Sequence, residues 1–151
     1  MYKKILVAID GSATSLRGLN EAIRLARATG GRLMLVHVVQ ELVIASEDPT
    51  GATYTRVIDS LRSVGASVLA QATSTVQQAD VPCEEKLVQT IGGSVADEIV
   101  KQAKLWSADL IVLGTHGRRG LKRLAMGSDA ELVVRLASVP VLLVREPHEA
   151  S

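Results

Sequence analysis

Aromatic side chains are almost missing from this sequence: one Trp, two Tyr and no Phe among 151 residues. A close-packed core must therefore be aliphatic, and 19 Val, 19 Leu, 18 Ala and 8 Ile supply it. Cysteine is scarce too. Cys83 stands alone, which excludes an internal disulfide and any cysteine-rich zinc site, and its scarcity fits a reducing compartment. No charge of one sign dominates, since 17 Lys and Arg face 16 Asp and Glu for a net charge of +1. That balance argues against a protein built mainly to hold nucleic acid. No apolar run approaches the roughly 20 residues that span a bilayer. Met1-Tyr2-Lys3-Lys4 is followed by only five apolar residues, Ile5 to Ile9, before Asp10. That is short for a secretory leader. The expectation is a cytoplasmic protein with no membrane and no nucleic-acid partner.

What is present is ordinary globular material. The chain is 47% hydrophobic and 22% charged, close to the average of soluble domains, which argues against intrinsic disorder. No linker divides the sequence. A single domain over 1–146 is expected, with a frayed tail at 147–151.

Four short apolar runs read as buried strands: Lys4–Ile9, Leu33–Val39, Asp109–Leu113 and Val139–Val144. Continuous apolarity means burial on both faces, the habit of parallel sheets. A fifth run, Cys83–Gln89, is more polar and fits an edge. Between the runs lie helical periods. Leu16, Leu19, Ala22, Ile23 and Ala26 mark a helix that starts near Ser12 or Thr14 and stops at Gly30-Gly31. Tyr54 to Val76 marks a long second helix, which Gly65 interrupts at some cost. Val95 to Ala103 marks a third, and Ala130 to Ala137 a fourth ahead of Pro140. The order is β-α-β-α-β-α-β-α-β. It predicts a three-layer, doubly wound α/β fold with a five-stranded parallel sheet and four helices, Rossmann-like in architecture. Gln40 to Thr53 is one long irregular connection, a length that usually carries function.

In such sheets a ligand binds beyond the carboxyl ends of the strands. There the sequence places Asp10-Gly11-Ser12, His37-Val38-Val39-Gln40, Thr90-Ile91-Gly92-Gly93-Ser94 and a long segment from Gly114. The segment 114–128 stands out. It holds Gly114, Gly117, Gly120 and Gly127, then Ser128 as a candidate helix cap. Arg118, Arg119, Lys122 and Arg123 fall in it with no carboxylate. Glycines, a helix N-terminus and local cations together point to a phosphate group. Two familiar phosphate motifs are absent: Gly-x-x-x-x-Gly-Lys-Ser/Thr, and Gly-x-Gly-x-x-Gly after the first strand.

The spacing Gly114-x2-Gly117-x9-Gly127-Ser128 resembles the ATP-binding branch of the universal stress proteins. The resemblance runs along nearly the whole chain. Lys3–Ser12 is similar to that family's first strand and turn, Leu35–Val38 to its second strand, and Asp109–Gly117 and Val139–Val144 to its last two. The resemblance implies a site for ATP, with Mg²⁺. Asp10 would sit near the ribose or the metal, and Ala8 and Ile9 beside the adenine. Val38 would meet the adenine through its backbone. Gly114, His116, Gly117 and Arg118 would wrap the ribose and phosphates, and Gly127, Ser128 and Asp129 would hold the triphosphate. Asp129 departs from the uncharged residue many relatives carry there. It also suits the helix dipole on its own account. The resemblance further implies a homodimer paired through the last strand, 139–144, and an unidentified protein partner.

Each of these residues also has a plainer role. Asp10 can order a turn, His37 can be core or pocket wall, and His116 can titrate in a loop. Cys83 begins an edge strand without a motif. Trp106 closes the third helix and is expected to pack on the fourth strand. Function therefore divides into an ATP-responsive stress-response regulator with at most slow hydrolysis, an ATP-hydrolysing or nucleotidyl-transferring enzyme, and a structural dimer with an empty site. Nucleotidyl transferases with His-x-Gly-His, and ATP pyrophosphatases with Ser-Gly-Gly-x-Asp-Ser, carry those motifs after strand one. Here that position reads Asp10-Gly11-Ser12. A receiver domain needs an Asp ending strand three, where this chain has Gln89-Thr90.

Overall fold

The computed structural model describes residues 1–41, 49–115 and 126–146. Strands β1 (Lys4–Ala8), β2 (Arg32–Glu41), β3 (Cys83–Ile91), β4 (Leu110–Gly114) and β5 (Val141–Val144) alternate with helices α1 (Ala13–Thr29), α2 (Ala52–Gln78), α3 (Val95–Trp106) and α4 (Ser128–Leu136). The strands form one sheet in the order β3-β2-β1-β4-β5, and every pairing is parallel. The expected doubly wound fold is observed, and the polar run β3 lies at an edge.

Alternating strand residues build two aliphatic layers. Ile5, Val7, Leu33, Leu35 and Val112 meet α1 and α2 on one face. Leu6, Met34, Val36, Ile111 and Leu113 meet α3 and α4 on the other. Each fully buried aliphatic chain of this kind contributes about 1.5–3 kcal/mol. Trp106 packs into the second layer, and Lys4 Nζ lies 4.8 Å from its ring centre. Among the described residues no helix is long and apolar enough to cross a membrane.

Helix ends follow local chemistry. Ser12 caps α1 by accepting the Ser15 N–H, and Gly30 closes that helix in the left-handed region. Ser94 caps α3 by accepting the Asp97 N–H. The cap of α4 differs from expectation: Gly127 holds the cap position and Ser128 is the first helical residue. The reason lies in the backbone. Gly127 donates its N–H to Thr115 O at 2.6 Å and accepts from Glu131 N–H at 3.0 Å, so the turn is pinned one residue earlier. Strand β2 also runs two residues past the expected Val39, because its pairing with β3 continues to Glu41↔Ile91.

Candidate functional site

The crossover direction reverses between β1 and β4. Helix α1 carries the chain from β1 toward β2, and α4 carries it from β4 toward β5 on the opposite face. Adjacent strands whose crossovers diverge open a crevice at their carboxyl ends. The ends of β1, β2 and β4 and the starts of α1 and α4 border it.

The β1 end is built as a tight turn. Asp10 Oδ1 accepts the Ser12 N–H at 2.8 Å around Gly11, whose φ is 84°. Asp10 N–H meets Ser15 Oγ at 3.4 Å. Asp10 thus orders the turn with one oxygen, and Oδ2 has no partner among the described residues. Its side chain is half-exposed. Ala8 is half-buried, whereas the Ile9 side chain is 2% exposed within the α1–α2 layer. Ile9 donates its backbone N–H to Val36 O and its carbonyl accepts from His37 Nδ1, so Ile9 offers a ligand packing contact only.

Gly114 ends β4 against the first turn of α1. A Cβ built there would stand 2.5 Å from Thr14 Oγ1 and 2.8 Å from the Thr14 carbonyl carbon. Its missing side chain is therefore needed for helix packing. Beyond it, Thr115 donates its N–H to Val144 O at 3.0 Å. Its carbonyl takes the Gly127 N–H, so the chain leaves at Thr115 and returns at Gly127 across a single hydrogen bond. Thr115 Oγ1 is buried and has no partner among the described residues. Gly127 is buried, and Ser128 and Asp129 are exposed in the first turn of α4. An anion is favoured at such a terminus. His116, Gly117 and Arg118 lie outside the described residues.

The β2 end supplies a different chemistry. His37 Nδ1 is 2.7 Å from Ile9 O. A carbonyl only accepts, so Nδ1 carries the proton. Val38 is half-buried and follows directly. Three residues further, buried Glu41 accepts from Tyr54 Oη at 3.0 Å and from Gln89 Nε2 at 2.9 Å. Gln89 Oε1 in turn accepts from Arg62 at 2.7 Å. The hydrogen bond to Glu41, with burial and the carboxylate charge behind it, holds the Tyr54 hydroxyl above the ordinary tyrosine range. This network fastens α2 to the ends of β2 and β3.

Ala8, Ile9, Asp10, Val38 and Gly114 thus stand at or next to the carboxyl ends of the adjacent strands β2, β1 and β4, and Gly127, Ser128 and Asp129 at the start of α4. One contributor is not legible in the sequence: Thr115 carries no local signal. His37 is legible as a core or pocket-wall residue near the end of the second strand, but its hydrogen bond to Ile9 is not. Elsewhere, a groove of about 420 Å³ between β3 and α3 is lined by Met34, Lys86, Gln102 and Trp106, among others, away from these strand ends. Among the described residues no group of three or more His, Cys, Asp or Glu could hold a metal ion.

Residues 1–145 match the model of the universal stress protein family. The chain is similar to universal stress protein YxiE of Bacillus subtilis, with 36% identity over 151 residues, covering 96% of this chain and 100% of that protein. Among solved structures it resembles a universal stress protein family member from Burkholderia pseudomallei. Identity there is 33% and the TM-score 0.77, over 95% of this chain and 96% of the other. It also resembles a universal stress protein from Archaeoglobus fulgidus in complex with dAMP. In that case identity is 25% and the TM-score 0.66, over 95% and 98% of the two chains.

Proposed function

The chain belongs to the universal stress protein family, and from that premise we propose that it binds an adenine nucleotide, ATP with Mg²⁺, in the crevice between β1 and β4. The observation that carries the reading is the junction of three strand ends with the α4 N-terminus. There a carboxylate, a strand-end backbone edge and a helix start border one space. The dAMP complex of the Archaeoglobus fulgidus protein supports the ligand class. The motif Gly114-x2-Gly117-x9-Gly127-Ser128, with Arg118 inside it, supports a phosphate chain longer than one unit.

In this reading the adenine lies beside Ala8, the Ile9 backbone and Val38. The ribose lies near Asp10. The phosphates meet Gly114, His116, Gly117 and Arg118 and end at Gly127, Ser128 and Asp129. Magnesium commonly takes one or two carboxylates plus phosphate oxygens, and Asp10 Oδ2, without a partner among the described residues, suits that donor set. The protein is a nucleotide-responsive regulator rather than an efficient enzyme. It acts in the cytoplasm as a single domain over 1–146 that pairs through its last strand.

Native mass spectrometry of the purified protein tests the ligand, with calorimetry using ATP and Mg²⁺ and then AMP. A retained adenine nucleotide, or millimolar-or-better binding, is expected. Gly117→Val should abolish it by placing a branched side chain at the second motif glycine. A protein that carries no nucleotide and gives no heat with ATP or AMP would leave the structural dimer with an empty site as the better description.

A further inference from the structure

Parallel strands bond through alternate residues, each turning its N–H and C=O to one neighbour. Arg32 donates to Lys3 O at 2.8 Å, and Ile9 donates to Val36 O at 2.8 Å. Leu33 instead donates to Pro82 O, on the β3 side, at 2.9 Å. Even-numbered residues of β2 therefore turn their backbone toward β1, Val38 among them. The next bond of the ladder would run from Val38 N–H to Ile9 O. It is not formed: register ends at Ala8↔Val36, and the Ile9 carbonyl is occupied by His37 Nδ1 at 2.7 Å.

The ring that intercepts this carbonyl is held from behind. A Cβ at Gly65 of α2 would stand 2.6 Å from His37 Cδ2 and 2.9 Å from Nε2. The imidazole thus fills the space that Gly65 leaves and is directed at Ile9. The consequence falls on Val38. Its N–H and C=O face the crevice with no backbone partner among the described residues. A free donor beside a free acceptor complements the adenine edge, which offers a ring-nitrogen acceptor beside an amino donor. Guanine offers a carbonyl acceptor where adenine has its amino group.

We propose that His37 is a positioning residue of the nucleotide site: by capturing the Ile9 carbonyl it stops the β1–β2 ladder one bond early and keeps the Val38 backbone pair open for adenine. The proposal rests on the nucleotide reading above for its ligand, and on the ladder geometry alone for its mechanism. His37→Leu removes the donor, so the ladder closes from Val38 N–H to Ile9 O. His37→Asn keeps a donor at the Nδ1 position.

Calorimetry with ATP and with GTP, on wild type and both variants, reads the binding side. His37→Leu should weaken ATP binding at least tenfold and narrow its preference over GTP, and His37→Asn should restore most of both. Equal losses in the two variants, or no loss in His37→Leu, would overturn the proposal. Amide hydrogen exchange by NMR reads the mechanism without any ligand. Val38 N–H should exchange readily in wild type and gain protection in His37→Leu. A protected Val38 amide in wild type overturns the proposal whatever the ligand. If wild type binds neither nucleotide, the nucleotide reading fails. The exchange result then decides the ladder mechanism by itself.

Discussion

The imidazole of His37 sits where a side chain at Gly65 would be, with 2.6 Å between His37 Cδ2 and the place a Gly65 Cβ would occupy. A mid-helix glycine ordinarily costs up to about 1 kcal/mol relative to Ala. In this helix it makes room for a buried ring that β2 cannot move, because His37 Nδ1 is bonded to Ile9 O. Gly65→Ala should therefore destabilise the fold by about 1–3 kcal/mol despite the better helix former. Urea unfolding measures it, and a variant more stable than wild type would contradict the packing.

Gly114→Ala should fail for a related reason at the other side of the crevice. Its Cβ would meet both the side chain and the backbone of Thr14, at 2.5 to 2.8 Å. Backbone cannot step aside as a flexible side chain can. A loss of about 1–3 kcal/mol is expected. Thr14→Ala should recover little of it, because it removes only Oγ1 and leaves the contacts with Cβ and the carbonyl carbon. Full rescue by Thr14→Ala would place the clash on the hydroxyl alone.

Both glycines show where reading a sequence stops. The strands were legible because burial on both faces leaves continuous apolar runs such as Ile5–Ile9 and Leu110–Leu113. The start of α1 is legible because Ser12 is a local cap, and that of α3 because its apolar period begins at Val95. Asp10, Val38 and Gly114 were legible as strand ends. Gly65 registered only as a weak point of α2, since its reason is a residue 28 positions earlier in β2. The α4 cap was misplaced because its determinant, the Thr115 carbonyl, lies 12 positions before Gly127. Strand order is likewise a tertiary fact that no periodicity encodes.

The Cys83 thiol is held above its ordinary range by burial and by the neighbouring Glu85 carboxylate. A thiol reagent at mildly alkaline pH should modify it more slowly than a free cysteine, because less thiolate is present. Glu85→Gln removes the charge and should speed the reaction. An unchanged rate would leave burial as the whole cause.

Tyr54 gives a stability prediction with a definite sign. Its folded value is raised above the usual 10.0, so the native state favours the protonated hydroxyl that bonds Glu41. That stabilisation is full below the unfolded value and is lost as pH rises through the folded one. Wild type should lose more stability than Tyr54→Phe when the pH is taken from neutral to above about 10. Parallel loss in the two proteins would mean that the Glu41 bond contributes nothing to folding.

The proposed dimer can be tested through the free edge of β5. Ile111 donates to Pro140 O and Thr115 donates to Val144 O, each at 3.0 Å. Pro140, Leu142 and Val144 therefore turn their backbone toward β4, and Val141 and Leu143 turn theirs outward. An open apolar edge invites a second strand. Proline removes one N–H, and which one it removes decides the outcome. Leu143→Pro takes a donor from the outer edge and should convert a dimer to a monomer with a modest loss of stability. Leu142→Pro takes a donor from the β4 ladder and should unfold the β5 end or the whole chain. Light scattering after size exclusion reads the first, and thermal unfolding reads the second. A Leu143→Pro protein that stays dimeric would move the interface away from the last strand. Collapse of that variant to the same degree as Leu142→Pro would contradict the outward alternation.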